Sequence, residues 1–210
     1  MNGDLLKLAG IGSKEILTVP CPAEDVRLSG FVCGRELFEW LSEKNGFYAF
    51  ESALHIFPLG TKDGVMDLES WNSATLWRDA YGDLANGYLF FGEDTFGNQF
   101  CLKPDGIGSF DAETAQVTHL ANSLSDWARL VIKEYELHTG YPLAHGWQLA
   151  NRPLAPGERL LPKMPFVTGG DYTIENLYAT DCVEGMRFRG KIAVQIQYIP
   201  EGAQVQFKID

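Results

Sequence analysis

The sequence predicts a fold that combines α-helices and β-strands, and three observations support this. The stretch from Gly87 to Lys103 has the pattern of a strand, a glycine-bounded turn and a second strand. The segments 33–45 and 123–138 carry apolar residues at helical spacing. The segment 191–209 alternates apolar and polar residues around Pro200, which predicts a β-hairpin. With 210 residues and 45% hydrophobic composition, the chain can bury a core as one domain, or as one domain with an extension.

The two predicted helices are amphipathic. In the first, Leu37, Trp40 and Leu41 share one face, and Asn45-Gly46 is a typical helix end. The second carries an apolar stripe, starts with a capping-box pattern at Ser123 and ends before a glycine. Its stripe consists of Leu124, Trp127, Ala128, Val131 and Tyr135.

The predicted strands lie mostly between these helices. They are expected at 47–52 (continuing as an extended stretch over 53–59), 87–92, 98–103, 107–110 and 116–120. The acidic connection over 62–83 contains Trp77 and Tyr81, whose spacing suits one face of a short helix. Five prolines predict that residues 142–170 form an ordered loop.

The charge of the chain is unevenly distributed. Its net charge is −11, and the whole imbalance lies in residues 1–137, because residues 138–210 hold equal numbers of acidic and basic side chains. Such a field repels nucleic-acid phosphates and attracts basic partners. Ordinary solubility is the alternative explanation. We therefore expect a protein partner and no nucleic acid.

The cysteines and the N-terminus bear on the compartment. Cys21, Cys33, Cys101 and Cys182 are scattered without a CxxC pair, which favours buried thiols in a reducing cytosol over a zinc site or disulfides. No secretory signal and no long apolar run are visible, so we expect a cytoplasmic protein that does not enter a membrane.

The search for catalytic or cofactor motifs finds none that is complete. His55, His119, His138 and His145 form no HExxH motif and lie beside no GxSxG serine, although a Cys–His pair that meets only in space stays open. The Gly10-Ile-Gly12 stretch lacks the third glycine of a dinucleotide loop, and residues 94–98 lack the ligand spacing of a calcium loop. We therefore expect a protein that is not an enzyme, with no cofactor and no metal.

Three passages resemble the SMI1/KNR4 (SUKH) superfamily, and their order along the chain matches too. They are Glu36-Leu-Phe-Glu-Trp-Leu-Ser-Glu-Lys-Asn-Gly46, the hairpin Leu89-Phe-Phe-Gly-Glu-Asp-Thr-Phe-Gly-Asn-Gln-Phe-Cys-Leu102, and the stretch from Gly106 to the helix opening Asn122-Ser-Leu-Ser-Asp-Trp127. The resemblance covers residues 30–137. It departs from the family pattern where Gly30-Phe-Val-Cys-Gly34 replaces the usual leucine-proline, and residues 138–210 lie outside it.

The resemblance implies an α+β fold with a mixed or antiparallel sheet and flanking helices. Residues 1–137 would form the SMI1/KNR4-like core, and residues 138–210 a β-rich C-terminal extension packed on it. Bacterial members of the superfamily are mostly immunity proteins that neutralise toxins, which implies a protein partner and no shared catalytic residues. The alternatives are a regulatory or scaffolding module without a toxin, pairing through its C-terminal hairpin, and an undetected enzyme.

The predicted partner surface combines acidic side chains with two tryptophans of the acidic connection. Carboxylates would meet a basic toxin surface, and aromatic side chains flanked by charge are common interface anchors. For Glu93 and Asp94 the alternative is a solvated turn in which an aspartate or asparagine hydrogen-bonds its own backbone, and for the tryptophans it is core packing. The predicted residues are Asp63, Asp67, Glu69, Trp71, Trp77, Asp79, Asp83, Glu93 and Asp94.

Overall fold

The computed structural model describes residues 3–18, 28–200, 202–203 and 207. Its strands are β1 (Phe47–Ala49), β2 (Leu54–Ile56), β3 (Leu89–Asp94), β4 (Gln99–Lys103), β5 (Gly106–Phe110), β6 (Val117–Ala121), β7 (Glu158–Pro162) and β8 (Leu177–Asp181). Its α-helices are α1 (Gly3–Ile11), α2 (Gly34–Glu43), α3 (Leu68–Trp71), α4 (Leu124–Lys133), α5 (Tyr135–Thr139), α6 (Tyr141–Ala150) and α7 (Cys182–Ile196). Short 3-10 helices occupy Leu28–Gly30, Arg78–Ala85, Phe166–Thr168 and Ile174–Asn176.

The centre of the fold is a six-stranded sheet in which β1 to β6 follow one another in chain order. Every neighbouring pair is antiparallel. The α+β fold with an antiparallel sheet and flanking helices is therefore confirmed. The predicted strand over 47–52 is shorter than expected, because Phe50, Glu51 and Ser52 all have positive φ and turn the chain into β2.

One face of the sheet is covered by α1, α2 and α4. Phe91 and Phe100 meet the edge of the Trp127 ring at 5.0 and 5.1 Å, and Trp40 approaches the same ring at 6.1 Å. Ser123 caps α4 through its hydroxyl, as the sequence predicts. The helix ends earlier than expected, at Lys133, and α5 completes the predicted segment.

The opposite face is covered by α3, by the 3-10 helix Arg78–Ala85 and by α7. Tyr81 lies at the centre of this cover. Its ring contacts Trp77 and Phe110, and its hydroxyl donates to Ala112 O at 2.6 Å. Gly190 of α7 allows close packing here, because a Cβ at that position would lie 2.8 Å from the Tyr81 ring.

The C-terminal extension differs from the prediction in two places. Residues 142–170 contain α6 and β7 as well as loop, and β7 pairs with β8 in a separate two-stranded sheet. The predicted strand over 191–199 is wrong, because α7 runs through Ile196. Its buried positions include Met186, Arg189 and Ile192, which follow one another at helical spacing. The predicted second strand over 203–209 lies largely outside the described residues.

Candidate functional site

The structure divides the nine predicted partner-surface residues into two groups. Four are exposed side chains on the cover of the sheet, namely Asp63, Glu69, Asp79 and Asp83. Five are buried, namely Asp67, Trp71, Trp77, Glu93 and Asp94. The prediction that these five form a partner surface is therefore wrong.

Asp67 is buried because it begins α3. Its Oδ1 accepts hydrogen bonds from the backbone N–H groups of Glu69 and Ser70, both at 2.9 Å. Its Oδ2 accepts a third from the Ser70 hydroxyl. An N-capping aspartate satisfies backbone donors that a helix leaves unpaired, so the role of Asp67 is structural.

Trp71 and Trp77 are core residues. Neither ring has measurable exposure, and their centroids are 5.5 Å apart. Trp71 also stacks on Phe57 at 4.7 Å and donates its Nε1–H to Gln99 Oε1 at 2.8 Å. The two indoles lie against the sheet, whereas Asp63, Glu69, Asp79 and Asp83 of the same segment are exposed.

Glu93 belongs to a row of side chains that crosses four strands. Tyr48 is paired with His55, His55 with Glu93, and Glu93 with Gln99 in the strand register. We call these four residues the polar ladder. Tyr48 stacks on His55 at 4.2 Å, and His55 Nδ1 lies 3.0 Å from Glu93 Oε1. Gln99 Nε2 donates to Glu93 Oε2 at 3.3 Å.

The charge of Glu93 is balanced by an arginine from the C-terminal extension. Arg159 of β7 is fully buried, and its Nη2 lies 2.9 Å from Glu93 Oε1. Burial alone would raise the pKa of Glu93, but Arg159 and the hydrogen bonds from His55 and Gln99 hold that pKa below its usual range. Burial lowers the pKa of His55, so its ring is neutral. The ladder thus contains one carboxylate, which is paired with Arg159 from outside the ladder, and one neutral imidazole.

Asp94 organises the turn that follows Glu93. Its Oδ1 accepts from the backbone N–H groups of Phe96 and Asn98, both at 2.8 Å. Its Oδ2 accepts from the Asn98 side-chain amide. Burial raises the pKa of Asp94 to about 7. The alternative interpretation is therefore half right: Asp94 does hydrogen-bond the backbone of its own turn, but the turn is not solvated, since Glu93 and Asp94 are both buried.

A second buried arginine reaches the same turn from α7. Arg189 donates to Phe96 O through Nη1 and to Gly185 O through Nε. Glycine is favoured at position 97 because its φ is +76°, and a Cβ there would also lie 2.5 Å from Arg189 Nη2. The glycine-bounded turn is therefore the place where the extension is attached to the sheet by buried polar contacts.

The sequence carried only a weak signal for this arrangement. The adjacent carboxylates of the turn were visible, and so were Arg159 and Arg189. Glu93 and Arg159 are 66 positions apart, and no local pattern of the sequence connects them. Only knowledge of which charged side chains are buried could have suggested that the two are paired.

A cavity opens beside the polar ladder. Its volume is about 600 Å³, and its wall includes Tyr48, His55, Val65, Met66 and Cys182. Burial raises the pKa of the Cys182 thiol far above its usual value, which keeps it protonated and a poor nucleophile. The open possibility of a Cys–His pair therefore gains no support from this thiol.

Two further searches concern metals and membranes. Within the described ranges, no three His, Cys, Asp or Glu side chains come close enough together to hold a metal ion. None of the helices in that part of the chain has the length and apolarity that crossing a bilayer requires.

The comparisons with known proteins establish a shared fold and no family. No protein-family model matches this chain, and no curated protein matches it. Among solved structures, it is similar to Atu4351 from Agrobacterium tumefaciens, with a TM-score of 0.57 and 12% identity. The similarity covers 90% of this chain and 88% of that one. At this identity it shows that the two proteins share an overall fold.

Proposed function

We propose that this protein is a non-catalytic, cytoplasmic protein of the SMI1/KNR4 (SUKH) superfamily, of the bacterial immunity type. It would neutralise a partner toxin by covering a basic working surface of that toxin. The family part of the proposal rests on the three sequence passages that resemble the superfamily. The partner part rests on the exposed carboxylates of residues 63–83, which we call the acidic segment.

The single observation that carries the proposal is the acidic excess among the exposed side chains of the acidic segment, although Lys62 beside it and Arg187, which donates to Leu76 O and Thr75 O, are exposed as well. Asp63, Glu69, Asp79 and Asp83 are exposed. The segment contains one basic residue, Arg78, and that side chain turns inward. Its guanidinium donates to Asn72 Oδ1, Tyr88 O and Ala85 O.

An exposed surface with an acidic excess supports fast association with a basic partner. Long-range attraction raises the encounter rate and weakens as salt screens it. The tryptophans beneath the segment give it a rigid base, because Trp71 and Trp77 are packed on the sheet. A rigid charged surface needs little rearrangement on binding, which favours affinity.

The proposal can be tested by purifying the tagged protein from its native cell and identifying what comes with it. We expect one basic partner at near-equal stoichiometry, released at high salt. The association rate should then be measured for a variant with Asp63, Asp79 and Asp83 changed to Asn and Glu69 to Gln. We expect a fall of at least about tenfold at low salt and a flatter salt dependence.

The matched control carries the same change in net charge at other exposed acidic positions. It replaces Glu43, Glu136, Asp171 and Glu175 by their amides. Equal slowing by both variants would show that net charge alone matters, and the assignment of the acidic segment would then be abandoned. A preparation without any partner would remove the support for an immunity role.

A regulatory or scaffolding module is the second candidate, and a different observation favours it. The edge of β1 is covered by residues 13–17, through bonds such as Ser13 N to Tyr48 O at 2.7 Å. The edge of β6 makes no backbone hydrogen bond to any described segment other than β5. An open edge accepts a strand from another chain. Self-association that is abolished by Thr118→Lys would favour this candidate, and a monomer at all concentrations would disfavour it.

A further inference from the structure

The imidazole of His55 has one edge without a partner. Only 3% of the residue is exposed. Tyr48 stacks on the ring at 4.2 Å, Phe57 approaches it at 4.4 Å, and Glu93 Oε1 lies 3.0 Å from Nδ1. The Nε2 edge is what remains to line the cavity. No described residue forms a hydrogen bond with Nε2.

The hydrogen-bond partner of Nδ1 determines what Nε2 can bind, because it determines which ring nitrogen carries the proton. Glu93 is an ionised carboxylate paired with Arg159, so it accepts a hydrogen bond from His55 Nδ1–H. In a neutral imidazole with its proton on Nδ1, Nε2 carries a lone pair and acts as an acceptor. This acceptor has no donor among the described residues, and a ligand that enters the cavity can supply one.

Most of the rest of the cavity wall is apolar. Ile16, Val65, Met66 and Pro156 are apolar. Among the polar groups, the Ser70 hydroxyl donates to Asp67, and the Asp181 carboxylate caps α7. The volume of the cavity, about 600 Å³, falls within the range of small-molecule sites.

We propose that this cavity binds a small neutral aromatic molecule of the phenol or indole class, whose O–H or N–H donates to His55 Nε2. The aromatic ring would pack on Val65, Met66 and Pro156. A carboxylate brings no donor to Nε2. An ammonium would find one charged side chain in the cavity wall, the exposed Asp181 carboxylate, whose Oδ1 already accepts from the first N–H groups of α7, because Glu93 is paired with Arg159. This proposal is independent of the proposed immunity function.

The test is a titration of the whole protein with para-cresol and 3-methylindole, followed by NMR of the His55 ring nitrogens. Toluene, benzoate and benzylamine serve as probes that lack the neutral donor. We expect saturable binding of the first two, a shift of the Nε2 resonance, and toluene weaker than para-cresol by at least about tenfold. Equal affinities for toluene and para-cresol would overturn the proposal, and so would the absence of saturable binding.

Two variants locate the site. Val65→Trp should fill the cavity and abolish binding. Val32→Trp is the control, because Val32 is 72% exposed and does not line the cavity, so binding should be retained. His55→Phe should bring para-cresol and toluene to equal affinity. If the His55→Phe variant does not fold, the Val65→Trp variant alone tests the site. Ligand binding that persists in the Val65→Trp variant would overturn the assignment of the cavity as the binding site.

Discussion

The elements that cover the two faces of the six-stranded sheet are held in place by different kinds of contact. On one face, Phe91 and Phe100 pack their rings against Trp127 from α4. On the other, the polar ladder meets Arg159, and the adjoining turn meets Arg189. Apolar contacts depend on area and shape, whereas a buried ion pair depends on every member being present. The polar face should therefore be more specific and less tolerant of single changes.

The comparison also explains how distant parts of the chain are joined. The apolar face is covered by α1, α2 and α4, which come from the beginning and the end of the first 140 residues. The polar face receives β7 and α7, which come from the C-terminal extension. Buried polar contacts at Glu93 and at the turn after it allow one docking position for these elements, because each donor must meet its acceptor.

The largest effect is expected from Arg159→Met. This change leaves the carboxylate of Glu93 buried without its counter-charge and should reduce the free energy of unfolding by about 3–5 kcal/mol. Urea denaturation measures the loss. The double variant with Glu93→Gln should recover part of the stability, because the unpaired charge is then gone. A double variant as unstable as the single one would contradict the ion-pair explanation.

A smaller effect is expected on the apolar face. Leu102→Ala removes a fully buried side chain from β4 and should cost about 2–4 kcal/mol through lost burial and a cavity. No charge is involved, so the loss should be the same at pH 5 and pH 7. A loss that changes with pH would show that the two faces are less distinct than described.

The effect of pH on stability through His55 should be smaller than the effects of these two substitutions, and its sign is defined. Burial lowers the folded-state pKa of His55 below its ordinary value of about 6.5. The unfolded chain therefore binds a proton on His55 that the folded chain does not, and the contribution of His55 to stability falls as the pH drops below about 6.5, whereas that of Asp94, whose folded-state pKa is about 7, changes in the opposite direction. His55→Gln should flatten this part of the stability curve. The exposed His119→Gln is the control, and an unchanged curve in the His55 variant would contradict the assignment.

The smallest effect on stability is expected at the acidic segment. Asp63, Glu69, Asp79 and Asp83 are exposed, and amide replacements at such positions usually change stability by less than about 0.5 kcal/mol each. Thermal unfolding of the quadruple variant measures this. A large destabilisation would mean that these carboxylates hold the cover in place, and the kinetic test of partner binding would then need single variants.

Local patterns predicted much of the fold. The helical spacing of Leu37, Trp40 and Leu41, and the cap at Ser123, were sufficient for α2 and α4, because those signals lie within a few residues. The glycine-bounded turn between β3 and β4 was equally visible. The role of the four exposed carboxylates as a partner surface stays a prediction.

The tertiary structure decided what depends on distant neighbours. Ile192, Val194 and Ile196 alternate like a strand, yet α7 forms because Met186, Arg189 and Ile192 bury one helical face. Trp71 and Trp77 became core residues because the sheet lies beneath them, although charged neighbours suggested an interface. Glu93 became part of a buried ladder because three strands and Arg159 converge on it. Burial and pairing arise from contacts between segments far apart in the chain, which local spacing does not encode.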